Sequence, residues 1–279
     1  MRFVRQFLTI VVVYALSGAA VNAVRDNEWL TLVLGLASAA LIVLVYAWVV
    51  RRTEHRPATD VARKGAASRT AWGILIGGGM FTAVIVNLYT SGHYDIDGVG
   101  SVTGAVGLLG FMAAAAATEE VVYRGVLFRI VEEHIGTYAA MGLTGVVFGL
   151  SHLFNENATL WGALAIAIEA GFMLAAVYAA TRSLWLAIGV HFGWNFAAAG
   201  VFSTEVSGNG ASEGLLDATT SGPELLTGGA FGPEGSVYSV GFGVMLTLVF
   251  LWLAHRRGHI VRFGARRAAR RDSATTLPQ

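Results

Sequence analysis

The chain contains no cysteine, which excludes disulfides, thiolate metal sites and a cysteine nucleophile. Charge is scarce as well: 13% of the residues are Asp, Glu, Lys or Arg, against about a quarter in soluble domains. There are four prolines in 279 residues, no repeat of fixed period and no HExxH zinc-binding helix. What the sequence has instead is apolar: 55% hydrophobic residues, a mean hydropathy of +0.61 and 35 glycines. Long apolar runs identify an all-α, polytopic membrane protein, and few prolines with many alanines and glycines suit close-packed membrane helices.

A span needs about 20 mostly apolar residues. Eight stretches qualify: 7–24, 29–50, 71–90, 102–118 with a polar extension, 138–154, 161–180, 183–202 and 237–254. The first lacks an A-x-A cleavage pattern and reads as a retained span. Basic residues gather on the cytoplasmic side of membrane proteins. With both termini cytoplasmic, 18 of the 19 Lys and Arg residues fall on that side, Arg25 being the exception. Losing one span would spoil this segregation, so it supports the count of eight independently of hydropathy. The expected location is a plasma membrane, most simply a bacterial cytoplasmic membrane. Residues 1–101 hold the first three spans and 102–202 the next four. The Gly- and Ser-rich segment 203–236 reads as a flexible extracytoplasmic loop before the last span, 237–254. The basic tail, 255–279, reads as an orientation signal drawn to anionic lipid.

Ionisable residues inside a span are costly and face a cavity or a partner. Four places qualify. In "TEEVVYR", Glu120 and Arg124 stand four apart on one helix face and can pair, whereas Glu119 points about 100° away. In "FGLSH", Phe148 and His152 share a face; "HFGWN" does the same for His191 and Asn195. Glu119 and His152 lie 17 and 16 residues from the turn expected at Gly136, so an antiparallel hairpin sets them at one depth. The fourth place is Glu169 in "IAIEAGF", which reads either as support for the site or, the favoured reading, as an interhelical hydrogen-bonding residue.

Two histidines, a glutamate and an asparagine suit peptide-bond hydrolysis. Glu119 would accept a proton from water, His152 would orient that water, and His191 with Asn195 would donate to the oxyanion. A divalent metal, zinc first, held by Glu119, His152 and His191 from separate spans is the other form of this chemistry.

These residues carry a resemblance. The chain resembles the CPBP family of intramembrane proteases, the CAAX prenyl endopeptidase and bacteriocin-processing (Abi) type. The family motifs EExxxR, FxxxH and HxxxN correspond to Glu119, Glu120 and Arg124, to Phe148 and His152, and to His191 and Asn195. They occur in order on separate apolar helices, and "TRSLWLAIGVHFGWNF" resembles the family's approach to its third motif. The similarity covers about 102–202. It implies a membrane-embedded endopeptidase whose site opens to the cytoplasm or the bilayer. In that reading Glu119 is the catalytic glutamate, acting with His152; Glu120, Arg124 and Phe148 support it; His191 and Asn195 form the oxyanion pair. The expected partners are the lipid bilayer and a membrane-associated or lipid-modified peptide, with no role for nucleic acid. Two other classes use buried Glu and His: a non-catalytic immunity or scaffold protein of the same fold, and a proton-coupled transporter. Transporters commonly carry internal repeats and matched broken helices, and neither pattern is present.

Overall fold

In the computed structural model, residues 1–210 and 212–264 are described. Among them are eight helices long and apolar enough to cross a membrane: α1 (Arg2–Asn22), α2 (Glu28–Glu54), α3 (Ala66–Thr90), α4 (Val102–Ile135), α5 (Thr137–Phe154), α6 (Leu160–Thr181), α7 (Leu184–Val201) and α8 (Val237–Arg256). The chain is thus an all-helical, multi-pass membrane protein. Short polar residues start the helices where the apolar runs begin. Asn27, Ser101, Thr159 and Ser236 each accept a hydrogen bond from a backbone N–H in the first turn of α2, α4, α6 and α8. The hairpin between α4 and α5 turns at Gly136, whose φ of 81° suits glycine.

α4 is the longest element. Its 34 residues extend about 50 Å, well beyond the ~30 Å hydrocarbon core, so its last turns stand clear of the lipid. There Arg129 binds Glu54 of α2 and Gln6 of α1, and Glu132 takes Arg182 and Thr137. The start of the basic tail joins this end, because Thr137 and Val261 exchange hydrogen bonds and Arg182 also reaches the His259 carbonyl. That segment therefore packs on the α4–α5 turn; residues 265–279 of the tail lie outside the described residues.

The segment 203–236 is not the flexible loop that its composition suggests. A strand within it, β2 (Leu216–Thr220), pairs antiparallel with β1 (Tyr94–Val99), from the α3–α4 connection. Helical turns follow at Glu224–Thr227, Gly229–Phe231 and Pro233–Gly235. Phe231 and Glu234 are each 1% exposed. Phe231 packs with Phe148 and Ile166, and Glu234 finds internal donors. Glycine and serine here supply turns and hydrogen bonds for a folded cap, which composition cannot distinguish from a mobile loop.

Two faces of α7 are used differently. Gly189 and Gly193 lie against Gly73 and Gly77 of α3, and a Cβ at any of the four would strike the opposing backbone. Small residues four apart let the two helices approach closely. Between those glycines, His191 faces the bundle interior, so the tight α3–α7 crossing fixes its depth and angle. Replacing Gly77 by Val should therefore destabilise the protein by about 1–3 kcal/mol or more, the usual cost of overpacking. Gly79, where an added Cβ would meet nothing within 4 Å, is the control. Thermal unfolding in detergent, followed by tryptophan fluorescence, should show a clear drop for Gly77→Val and little change for Gly79→Val.

Candidate active site

The site forms where α4, α5, α6 and α7 meet. Helical spacing alone pairs Glu120 with Arg124, and the structure shows that bond at 2.7 Å, with the two side chains 0% and 2% exposed. The rest of the guanidinium is also engaged. It donates to the Ala170 and Gly171 carbonyls of α6, at 2.8 and 3.3 Å, and lies 4.6 Å from the Phe148 ring centroid. Phe148 of the second motif thereby has a physical role, because its π face covers the buried cation. Phe148 also meets His152, Tyr123 and His191, with ring centroids 4.8, 4.8 and 6.3 Å away. Tyr123 donates to Ser151 at 2.9 Å, fastening α4 to α5 beside the site.

Three helices widen locally into π-helix at the site: Val121–Phe128 in α4, Ala167–Phe172 in α6 and Phe196–Val201 in α7. The first follows the Glu119–Glu120 pair, the second holds Glu169 and the third begins after Asn195. Such widening is frequent at functional sites because it disturbs the regular backbone ladder. Carbonyls within these turns are used by side chains: Ala170 and Gly171 by Arg124, and Gly125 by Tyr46 and Arg129.

His191 stands between the two glutamates. Its Nδ1 is 2.9 Å from Glu120 Oε1, and its Nε2 is 3.9 Å from Glu119 Oε2. Glu120 is acceptor-only as a carboxylate, so Nδ1 carries the proton of that bond. His152 is oriented by its own helix, since Nδ1 lies 2.8 Å from the Phe148 carbonyl and must donate. Nε2 is the ring nitrogen left free of that bond. Glu119, His152, His191 and Asn195 all border one cavity of about 620 Å³, and Glu119 Oε2 has no hydrogen-bond partner among the described residues. The hairpin expectation that Glu119 and His152 share a depth agrees with this common cavity.

Among the described residues, no three His, Asp or Glu side chains gather as a metal-ion site. Glu119, His152 and His191, the set suggested for zinc, face the same cavity without forming a three-donor cluster. The arrangement as it stands does not fit that ligand set.

The cavity also draws on residues that sequence reasoning missed or read otherwise. α1 walls one side through Val11, Tyr14 and Gly18, and the folded cap contributes Ser207 and Glu234. Glu234 lies outside the spans. Burial pushes its carboxyl above the usual carboxylate range, while donors from Ser207 and Trp194 oppose that shift. Glu169 does not make the interhelical hydrogen bond expected of it: neither carboxyl oxygen has a partner among the described residues. Nothing in the sequence marks Glu234 as buried, since its neighbours resemble those of any acidic, glycine-rich loop.

Residues 101–197 match the family model described as Type II CAAX prenyl endopeptidase Rce1-like. That stretch, about a third of the chain, is similar to the Rce1-like family. That segment includes all three motifs and the motif residues around the cavity. No curated protein and no solved structure matches the chain.

The buried Glu120–Arg124 pair should be intolerant of losing one member. Arg124→Met leaves a buried carboxylate unpaired and should cost about 3–5 kcal/mol. The double variant Glu120→Gln/Arg124→Met should recover part of that loss, measured as a double-mutant cycle on unfolding midpoints.

Proposed function

We propose that the chain is an intramembrane endopeptidase that hydrolyses peptide bonds of membrane-associated or lipid-modified substrates. The observation that carries this reading is the convergence of Glu119, with an unpartnered carboxylate oxygen, on a cavity shared with His152, His191 and Asn195. The Rce1-like match over the same segment supports it.

In this reading a water sits between Glu119 and Nε2 of His152. Glu119 removes one proton from it as the oxygen attacks the substrate carbonyl carbon. The carbonyl π pair moves to oxygen. That oxyanion receives N–H groups from the Asn195 amide and from Nε2 of His191. Because Nδ1 of His191 already donates to Glu120, an N–H on Nε2 requires the imidazolium, and Glu119 and Glu120 flank that charge. When the tetrahedral intermediate collapses, the C–N bond breaks and Glu119 returns its proton to the leaving amine. Glu120, Arg124 and Phe148 touch no reacting atom; they hold His191 and His152 in place.

Orientation follows from charge. The end of the bundle with Arg2, Arg129, Arg182 and the first part of the tail faces the cytoplasm by the positive-inside rule. The folded cap then faces the opposite side, and the cavity lining runs from α1 to residues of that cap. α1 has the smallest buried fraction of the eight spans, 22%, which makes it the side on which a substrate arriving through the bilayer meets the least packing.

Glu119→Ala should lower cleavage by about 10²–10⁴-fold, the range for losing a general base, and His152→Ala should also lose most activity. Asn195→Ala should cost about 10²–10³-fold as a lost oxyanion donor. Comparative membrane proteomics of the wild type and Glu119→Ala identifies uncut substrates, which then serve for rates with each variant shown to be folded. Retained cleavage in all three variants would refute the reading. Metal analysis of the purified protein, with cleavage measured before and after chelation, tests the metal-dependent alternative.

A further inference from the structure

Hydrolysis by Glu119 and its partners leaves one part of the cavity unused. Glu169 lies within the π-helical turn of α6 and is 1% exposed. α8 presses on its backbone, because a Cβ on Gly243 would strike Glu169 Cα. Glu169 is one of the residues lining the cavity, and neither of its carboxyl oxygens meets a donor among the described residues. From the cap, Glu234 lines the same cavity. Glu234 is held rigidly: Trp194 Nε1 donates to it at 2.8 Å and the Ser207 hydroxyl at 2.9 Å.

A buried carboxyl with no hydrogen-bond partner is an unfavourable arrangement. The arginines around it do not relieve it. Arg25, which lines the cavity, packs over Phe111, 5.5 Å from its ring centroid, and Arg124, outside the cavity lining, is committed to Glu120 and two carbonyls. His152 spends Nδ1 on the Phe148 carbonyl. The group that completes the site is a guest cation with several N–H donors, which would form charge-assisted hydrogen bonds to Glu169.

We propose that Glu169 and Glu234 form a cation-accepting subsite beside the Glu119–His152 centre, selecting peptides with a lysine or arginine side chain near the scissile bond. This deepens the endopeptidase reading and rests on it for the word substrate. Glu169 is the specificity-determining residue, and Glu234 positions the pocket from the cap side.

The test uses the full chain in lipid nanodiscs and two fluorescent apolar peptides, blocked at both ends and identical except for one central lysine or norleucine. Binding is measured on Glu119→Ala protein, which prevents cleavage and removes Glu119 as a competing anion. The lysine peptide should bind about tenfold more tightly or better, one decade in Kd. Glu169→Gln should abolish that preference and leave the norleucine peptide unaffected, and Glu169→Asp should restore part of it. Equal binding of the two peptides overturns the subsite; this comparison stands even if Glu169→Gln fails to fold. A second arm digests a mixed membrane-peptide library with the wild type. Glu119-dependent cuts flanked by lysine or arginine support the subsite. Glu119-dependent cuts without that flank overturn the subsite and leave the endopeptidase reading intact. If no cut depends on Glu119, the endopeptidase reading falls, and the binding comparison alone decides the subsite.

Discussion

The site depends on a charge that must not be left alone. Arg124 is buried among apolar helices, where an unpaired guanidinium would be too costly to retain. Glu120 neutralises it, two carbonyls from α6 take further N–H groups, and the Phe148 ring covers its face. Those contacts come from α4, α6 and α5. A single buried cation thus ties three spans together at one depth. Glu120 also has a second role, since the oxygen that binds Arg124 accepts from His191 on α7. The fourth span of the site is therefore fastened through the same carboxylate.

Helix widening makes this arrangement possible. A regular α-helix satisfies its carbonyls internally, leaving little for a buried arginine to bind. The π-helical turn of α6 places the Ala170 and Gly171 carbonyls where Arg124 reaches them. The turn in α4 offers Gly125 to Tyr46 and Arg129 in the same way. Close packing on the outside complements this. The Gly73–Gly77 and Gly189–Gly193 contact presses α7 closely on α3.

The chemistry also depends on keeping two adjacent glutamates different. Glu120 is fully buried and paired, whereas Glu119 is one quarter exposed and its Oε2 is buried without a hydrogen-bond partner among the described residues. One carboxylate holds Arg124 and His191 in place and the other lines the cavity. The two histidines are distinguished in the same manner, His152 by a backbone carbonyl and His191 by a carboxylate.

Much of this was legible in the sequence. Hydropathy and the placement of basic residues gave eight spans, because lipid solvation acts on each segment separately. Helical periodicity paired Glu120 with Arg124 and turned Glu119 away, because spacing of four is a local property of the helix. Residue counting from Gly136 matched the depths of Glu119 and His152, because a hairpin ties depth to distance along the chain. Other features were decided only by tertiary structure. The seat of Arg124 under Phe148, the placing of His191 between both glutamates, the unpartnered burial of Glu169 and the burial of Glu234 all join residues from different helices or from the folded cap. Their partners lie tens of residues away, and glycine- and serine-rich composition reads the same whether a segment is mobile or folded over a cavity. Local periodicity carries the spans and the pairs within them; the contacts between them depend on how the helices pack.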